Sequence, residues 1–293
     1  MSLGTHEPVH AERPVRAGGG KRRRPQVGKH LLLMCVALVS MFPFYWLLVM
    51  ASSSSGDVFR FPPRLTPGTR FLENLGKVSD AVPLGTAFVN SLIVAVCAVV
   101  LTGFLCSLGG FVFARMRFPG RDKLFGFVLA TLVFPTGVSL APSLQIYSHL
   151  GWINTFLPLI VPGAASAFGL FWMRQYAVSA IPYELVEAAR LDGCGLLRMY
   201  WHVALPSMRP AIASYGIFTF MWSWNDYLWP LLVLNDPQKY TVPVALAQLK
   251  GAYGNVDYSV VTAGTLLGAI PLIVLFLFVR KWIFRNMVAG AVK

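Results

Sequence analysis

The chain has 293 residues, of which 56% are hydrophobic and only 13% charged, with a formal net charge of +13 and a mean hydropathy of +0.60. A soluble domain averages roughly 25% charged residues, so this balance excludes an ordinary soluble enzyme and indicates an integral membrane protein. The excess of positive charge carries no base-reading module and fits attraction to anionic lipid headgroups better than nucleic-acid binding.

The first 30 residues are polar and rich in Gly, Pro and Arg, including the Lys21-Arg22-Arg23-Arg24 cluster. They are expected to form a disordered cytoplasmic arm. Crossing a hydrocarbon core of roughly 30 Å takes about 20 helical residues. Uncharged runs of that length occur at 31–51, 86–114, 124–146, 154–173, 211–232 and 259–279, which predicts an all-α membrane protein with six transmembrane helices. The first run is too long for a signal core and lacks a small-residue cleavage site, so it is expected to act as an uncleaved anchor. Pro135, Pro142, Pro158, Pro162 and Pro271 fall inside predicted spans, where neighbouring helices re-satisfy the freed backbone groups.

Between the first two spans, 52–85 reads as a proline-stiffened outer loop. The connection 115–123 is short and basic, and Pro119-Gly120 predicts a tight turn. The connection around Trp152 carries no Lys or Arg. Most of the 25 Lys and Arg residues then fall on the side of the N-terminus, the 115–123 connection, the 180–209 segment and the C-terminal tail 285–293. By the positive-inside rule both termini are cytoplasmic. Cys35, Cys97, Cys106 and Cys194 have no metal-ligand spacing and read as packing residues. Gly103, Ser107, Gly264 and Gly268 are placed for close helix packing, within the chain or at a subunit seam.

The segment 182–193 followed by Leu205-Pro206 is a polar island between apolar runs. Pro182 is expected at the first helical position, Glu184 and Glu187 near the positive end of the helix dipole, and Gly193 as a C-terminal cap with positive φ. Leu196, Met199, Tyr200 and Val203 then recur at helical spacing, so two short amphipathic helices joined by a glycine turn are expected. Such a knob suits docking. Glu187 either pairs with Arg190 one turn on, or faces a basic residue of a cytoplasmic protein with Ala188 and Ala189 small enough to enter a groove.

No HExxH, GxSxG or Walker-type phosphate loop is present and the five histidines are isolated, so no catalysis, cofactor or ATP hydrolysis is expected of this chain itself. Asp226, within Trp222-Ser223-Trp224-Asn225-Asp226, is an ionisable group at membrane depth. With Trp224 and Asn225 it offers stacking and hydrogen bonds to a sugar; an interface belt or a helix cap accounts for the same residues. Asn90 is either part of that path or an interhelical hydrogen-bonding residue.

At this point the chain resembles the maltose-type permease subunits of bacterial carbohydrate-uptake ABC transporters. The resemblance rests on Glu187-Ala188-Ala189, Gly193 and Leu205-Pro206, which match the superfamily's cytoplasmic loop. It is supported by Phe88-Val89-Asn90-Ser91-Leu92, Phe113 to Gly120, Phe168 to Gln175 and Trp224-Asn225-Asp226. It implies a type I importer permease fold, with a transmembrane domain over 86–284 preceded by the first helix and outer loop at 31–85. It also implies a multi-pass protein of the bacterial inner membrane that works with a second homologous permease, two cytoplasmic ATP-binding subunits and an extracytoplasmic solute-binding protein. In that setting Glu184, Glu187, Ala188, Ala189, Asp192, Gly193, Leu205 and Pro206 would form the coupling helix and its frame. The tail 287–293 resembles the family's C-terminal segment, which reaches toward the ATPases. An ABC permease for a polyol, a phosphodiester or a peptide is the near alternative. An ion-driven secondary transporter would need buried ionisable groups in several spans and usually a repeat, neither of which is evident.

Overall fold

A computed structural model describes residues 27–251 and 256–290; most of the N-terminal arm and residues 291–293 of the tail lie outside them. The described residues are helical, with no strand among them. The described residues divide into two units, the first ending at Tyr45 and the second starting at Trp46. Helix α1 (Val27–Ala51) begins in the first unit, where its apolar side chains from Leu31 to Phe44 are exposed, as suits a helix in lipid.

The second unit opens with a correction. The 52–85 stretch is not a bare loop but holds the short α2 (Ser55–Val58) and α3 (Phe71–Ala81). Phe71, Leu75 and Val78 recur at helical spacing and lay one face of α3 on a cluster with Val260 and Ala263. The buried Asn74 amide donates to the carbonyls of Ala51 (2.9 Å) and Ser53 (3.0 Å), fixing α3 to the end of α1.

Helix α4 (Leu84–Arg115) is the axis of the unit. Its 32 residues rise about 48 Å at 1.5 Å each, more than a hydrocarbon core needs. Ala87, Asn90, Ser91, Val94, Ala98, Gly103, Ser107, Gly110 and Ala114 form a buried, mostly small stripe along it. Small residues let helix backbones approach closely. A Cβ on Gly110 would stand 2.5 Å from Met173 Cβ and 2.8 Å from the Arg174 backbone nitrogen. The crossing is thus closed to any larger residue.

Three expected spans are broken. The third becomes α5 (Arg121–Ala130) and α6 (Leu140–His149), with two 3-10 turns at Thr131–Val133 and Thr136–Ser139 and an overall bend of 87°. Pro135 supplies no N–H and holds Phe134 extended, which stops the helix there. The fourth becomes α7 (Leu157–Ala164) and α8 (Ala167–Ala180), bent by 41° and placed several residues C-terminal to the expected run. Ser166 makes the break by capping α8, its Oγ accepting from the Gly169 N–H at 3.1 Å. Helix α9 (Tyr183–Leu191), α10 (Leu196–Met199) and a π turn at Tyr200–Ala204 lead directly into α11 (Leu205–Asn225), which starts before the expected 211. The fifth run is then interrupted at Asp226-Tyr227 before α12 (Leu228–Val233).

A 3-10 turn, α13 (Val242–Gln248) and α14 (Tyr258–Gly290) complete the chain, and α14 stays helical into the segment read as tail. Helices α1, α4 and the Tyr258–Arg280 part of α14 are each long and apolar enough to cross a membrane, and the two bent pairs bring that number to five. Gly264 and Gly268 receive Leu246 of α13, and a Cβ on Gly103 would lie 3.5 Å from Ile212 Cγ2, so these glycines serve packing within the chain. Replacing Gly110 by Val is expected to force α4 and α8 apart at a cost of about 1–3 kcal/mol. A lowered melting temperature of the detergent-purified protein checks this; an unchanged one contradicts the close crossing.

Candidate functional site

The polar island folds as two short helices packed against α4, α8 and α11. Pro182, with φ −60° and ψ 150°, is the N-cap rather than the first helical residue, and α9 starts at Tyr183. At its other end Gly193 has φ +73°. The Gly193 N–H donates to the Arg190 carbonyl at 3.0 Å and the Cys194 N–H to that of Ala189 at 2.9 Å. That pair of bonds is a Schellman cap, which satisfies carbonyls the helix leaves open and turns the chain into α10.

The two faces of the knob differ in kind. Val186, Ala189, Met199 and Tyr200 turn inward and pack with Phe111 and Ala114 of α4, Met173 and Ala177 of α8, Ile181 just after it and Met208 of α11. Ala189 therefore serves the protein's own core, and only Ala188 of the alanine pair faces out. The Tyr200 ring is fully buried and its hydroxyl lies 2.7 Å from Ser107 Oγ on α4. Arg115, at the end of α4, donates to the Val178 carbonyl of α8 and stacks its guanidinium 4.4 Å from the Tyr183 ring centroid. Both ends of the knob are thereby tied to the helix axis.

The outward face carries Glu184, Glu187, Ala188, Leu191 and Asp192, all exposed. Leu191 is 89% exposed, an unusual position for a leucine beside two carboxylates. Arg190 does not pair with Glu187; its Nη2 donates to Met116 Sδ at 3.2 Å. The simple intrahelical ion pair is thus replaced by a carboxylate directed away from the fold. Leu205 is half-buried and Pro206 exposed in the first turn of α11, and Leu205 packs against the same buried cluster as the inward face of α9.

The candidate path residues separate. Asn90 donates through Nδ2 to the carbonyls of Gln238 (2.8 Å) and Tyr240 (3.1 Å), while Ser91 Oγ accepts from the Val242 N–H at 2.8 Å. The Asn90 bonds tie α4 to the 3-10 turn at Pro237–Lys239 and the residue after it. Trp224 is 3% exposed, stacks on Phe220 and donates through Nε1 to the Gly268 carbonyl at 3.1 Å. Asp226 accepts weakly from the Trp229 N–H at 3.4 Å, as a cap for α12, and Asn225 is exposed.

One feature escaped the sequence reading. Phe218, Met221, Trp222 and Asn225 occupy one exposed stripe of α11 at helical spacing, and Trp222 stacks on Phe218. The spacing was visible in the sequence. Which of two aromatic faces turned outward depended on Trp224 finding the Gly268 carbonyl, a long-range partner no local pattern names.

Residues 15–289 match the family described as binding-protein-dependent transport system inner membrane component. The lactose transport system permease protein LacG of Rhizobium radiobacter is 30% identical over 93% of this chain and 98% of its own. The arabinooligosaccharides permease protein AraQ of Halalkalibacterium halodurans is 32% identical over 88% and 93%. The sn-glycerol-3-phosphate permease protein UgpE of Yersinia pestis is 30% identical over 91% and 97%. A chain of a bacterial ABC transporter involved in import of the acidic polysaccharide alginate superposes with a TM-score of 0.75 at 24% identity, covering 88% of this chain and 95% of that one.

Replacing Gly193 by Ala meets no neighbour, so its cost is conformational alone, about 1–2 kcal/mol for the left-handed backbone. The melting temperature should fall by a few degrees and proteolysis between α9 and α10 should quicken; no change in either would remove the cap from the account.

Proposed function

The chain belongs to the family of binding-protein-dependent transport system inner membrane components, and on that premise we propose that it is the membrane-spanning permease subunit of an ATP-driven sugar importer. It sits in the bacterial inner membrane. In this reading α1, α4 and α14, the two bent pairs and the α11–α12 run make six crossings, with both termini cytoplasmic by the positive-inside rule. Its partners are a second homologous permease, two cytoplasmic ATP-binding subunits and an extracytoplasmic solute-binding protein. A bacterial alginate ABC transporter of like fold is solved in complex with an alginate pentasaccharide-bound periplasmic protein, which supports the last of these by analogy.

The observation that carries the proposal is the two-faced α9. Its outward carboxylates and Leu191 suit a groove on an ATP-binding subunit, with Glu187 facing a basic side chain and Leu191 filling an apolar pocket. Its inward face is buried among α4, α8 and α11. Close-packed interiors transmit displacement rather than absorb it, so closure of the ATPases would move those helices with α9 as a body. Alternating access follows from that movement.

Sugar is favoured over a phosphorylated solute by the α11 stripe. From Ala213 to Asn225 the helix carries no charge, and its exposed Phe218, Trp222 and Asn225 offer ring stacking and amide hydrogen bonds. A phosphate would call for a cation on such a wall. Asp226 at the end of the stripe adds an acceptor for sugar hydroxyls.

Glu187→Lys is expected to abolish co-purification of the ATP-binding subunit in mild detergent, or to cut sugar-stimulated ATP hydrolysis at least about tenfold, with membrane insertion intact; full uptake would refute the docking role. Trp222→Ala should raise the half-saturating sugar concentration several-fold, consistent with about 1 kcal/mol of lost stacking, and leave ATPase association unchanged. Normal uptake kinetics would return the stripe to a lipid or subunit contact.

A further inference from the structure

At the turn between α4 and α5 the surface opens into a cleft of about 670 Å³ lined by Arg117, Phe118, Arg121, Asp122, Lys123 and Tyr183. Arg117 and Lys123 are exposed, and the Arg117 guanidinium stands 6.0 Å from the Tyr183 ring centroid. Asp122 is the carboxylate in this lining, and Arg121 Nε donates to it at 3.0 Å, which leaves Arg117 and Lys123 uncompensated. The knob already uses Arg115, and nothing in the docking face of α9 requires this second basic cluster.

The cleft continues into apolar surface. Leu124 and Phe127, on the next turn of α5, are exposed, and Phe127 with Ala130, Thr131, Phe134 and Ser139 lines a second cleft of about 520 Å³. The two linings come within four residues of each other on α5, Lys123 to Phe127, about 6 Å at 1.5 Å per residue, so one molecule can reach both. A basic pocket with an apolar groove beside it matches an amphiphile better than a protein carboxylate, which would leave the groove empty.

We propose that the α4–α5 turn and α5 form a binding site for an anionic phospholipid of the cytoplasmic leaflet, its phosphodiester held by Arg117, Arg121 and Lys123 and an acyl chain lying along Leu124, Phe127 and Phe134. The phosphate oxygens accept charge-assisted hydrogen bonds from the guanidinium and ammonium groups, while the Tyr183 hydroxyl donates to the Ala114 carbonyl at 3.5 Å and its ring lines the pocket. Because Tyr183 opens α9, an occupied site also braces the start of the docking helix against the membrane surface. The site depends on the chain spanning the membrane and not on the identity of the transported solute.

Native mass spectrometry of the full-length protein within its transporter complex tests this, with phosphatidylglycerol, phosphatidylcholine and inorganic phosphate titrated separately. The wild type should retain phosphatidylglycerol in preference to phosphatidylcholine, and Arg117→Gln/Arg121→Gln/Lys123→Gln should weaken that binding on the order of a hundredfold, each surface charge being worth several-fold. Arg117→Lys/Arg121→Lys keeps the charge and should keep most of the lipid, which separates lost binding from misfolding. Equal retention of the two lipids, or retention unaffected by the glutamine variant, overturns the proposal. Binding of inorganic phosphate with no bound lipid would make this a free-anion site, and loss of the ATP-binding subunit in place of lipid would make it a protein contact; either result also overturns it.

Discussion

The close crossing of α4 on α8 is the contact on which the rest of the second unit depends. Gly110 admits the Met173 side chain and the Arg174 backbone to distances that no larger residue permits. Dispersion across such a seam is small for each atom pair and large in sum. Once α4 and α8 are locked, Ser107 and Arg115 are fixed in position, and these two residues hold Tyr200 and Tyr183 at the two ends of the knob. The outward face of α9 is therefore positioned by the longer helices and does not rest on the weak stability of a nine-residue helix alone.

A second constraint explains the broken helices. Backbone polar groups have no water to bond within hydrocarbon, so a break survives only where other groups satisfy it. Ser166 caps α8, the Asp226 carboxylate reaches the start of α12, and the Asn90 amide takes the carbonyls of Gln238 and Tyr240. Ser91 serves the Val242 N–H in the same way. Asn90 and Asp226, read in the sequence as candidates for a solute path, thus also serve the interrupted fold.

What the sequence made legible were the features with local physical causes. The Gly193 cap, the pair of short helices around it and the Pro119-Gly120 turn were readable because a positive φ or a helix stop leaves its mark within a few residues. Runs of apolar residues revealed α1, α4 and α14. The same runs concealed the bends at Pro135 and Ser166, because a hydropathy window averages over a broken helix. Helix α3 was hidden by the prolines around it, although Phe71, Leu75 and Val78 carried its period. The inward turn of Ala189 and the burial of Trp224 depended on partners far along the chain and had no local signal.

In the proposed complex the outward face of α9 is seated on an ATP-binding subunit while its inward face stays in the membrane domain. Leu191 is the most exposed apolar side chain of that outward face. A photo-activated cross-linking amino acid placed at Leu191, illuminated in native membranes, should yield an adduct with the ATP-binding subunit that diminishes when Glu187→Lys is added. Adducts with lipid alone, or an unchanged yield in the double variant, would contradict the account.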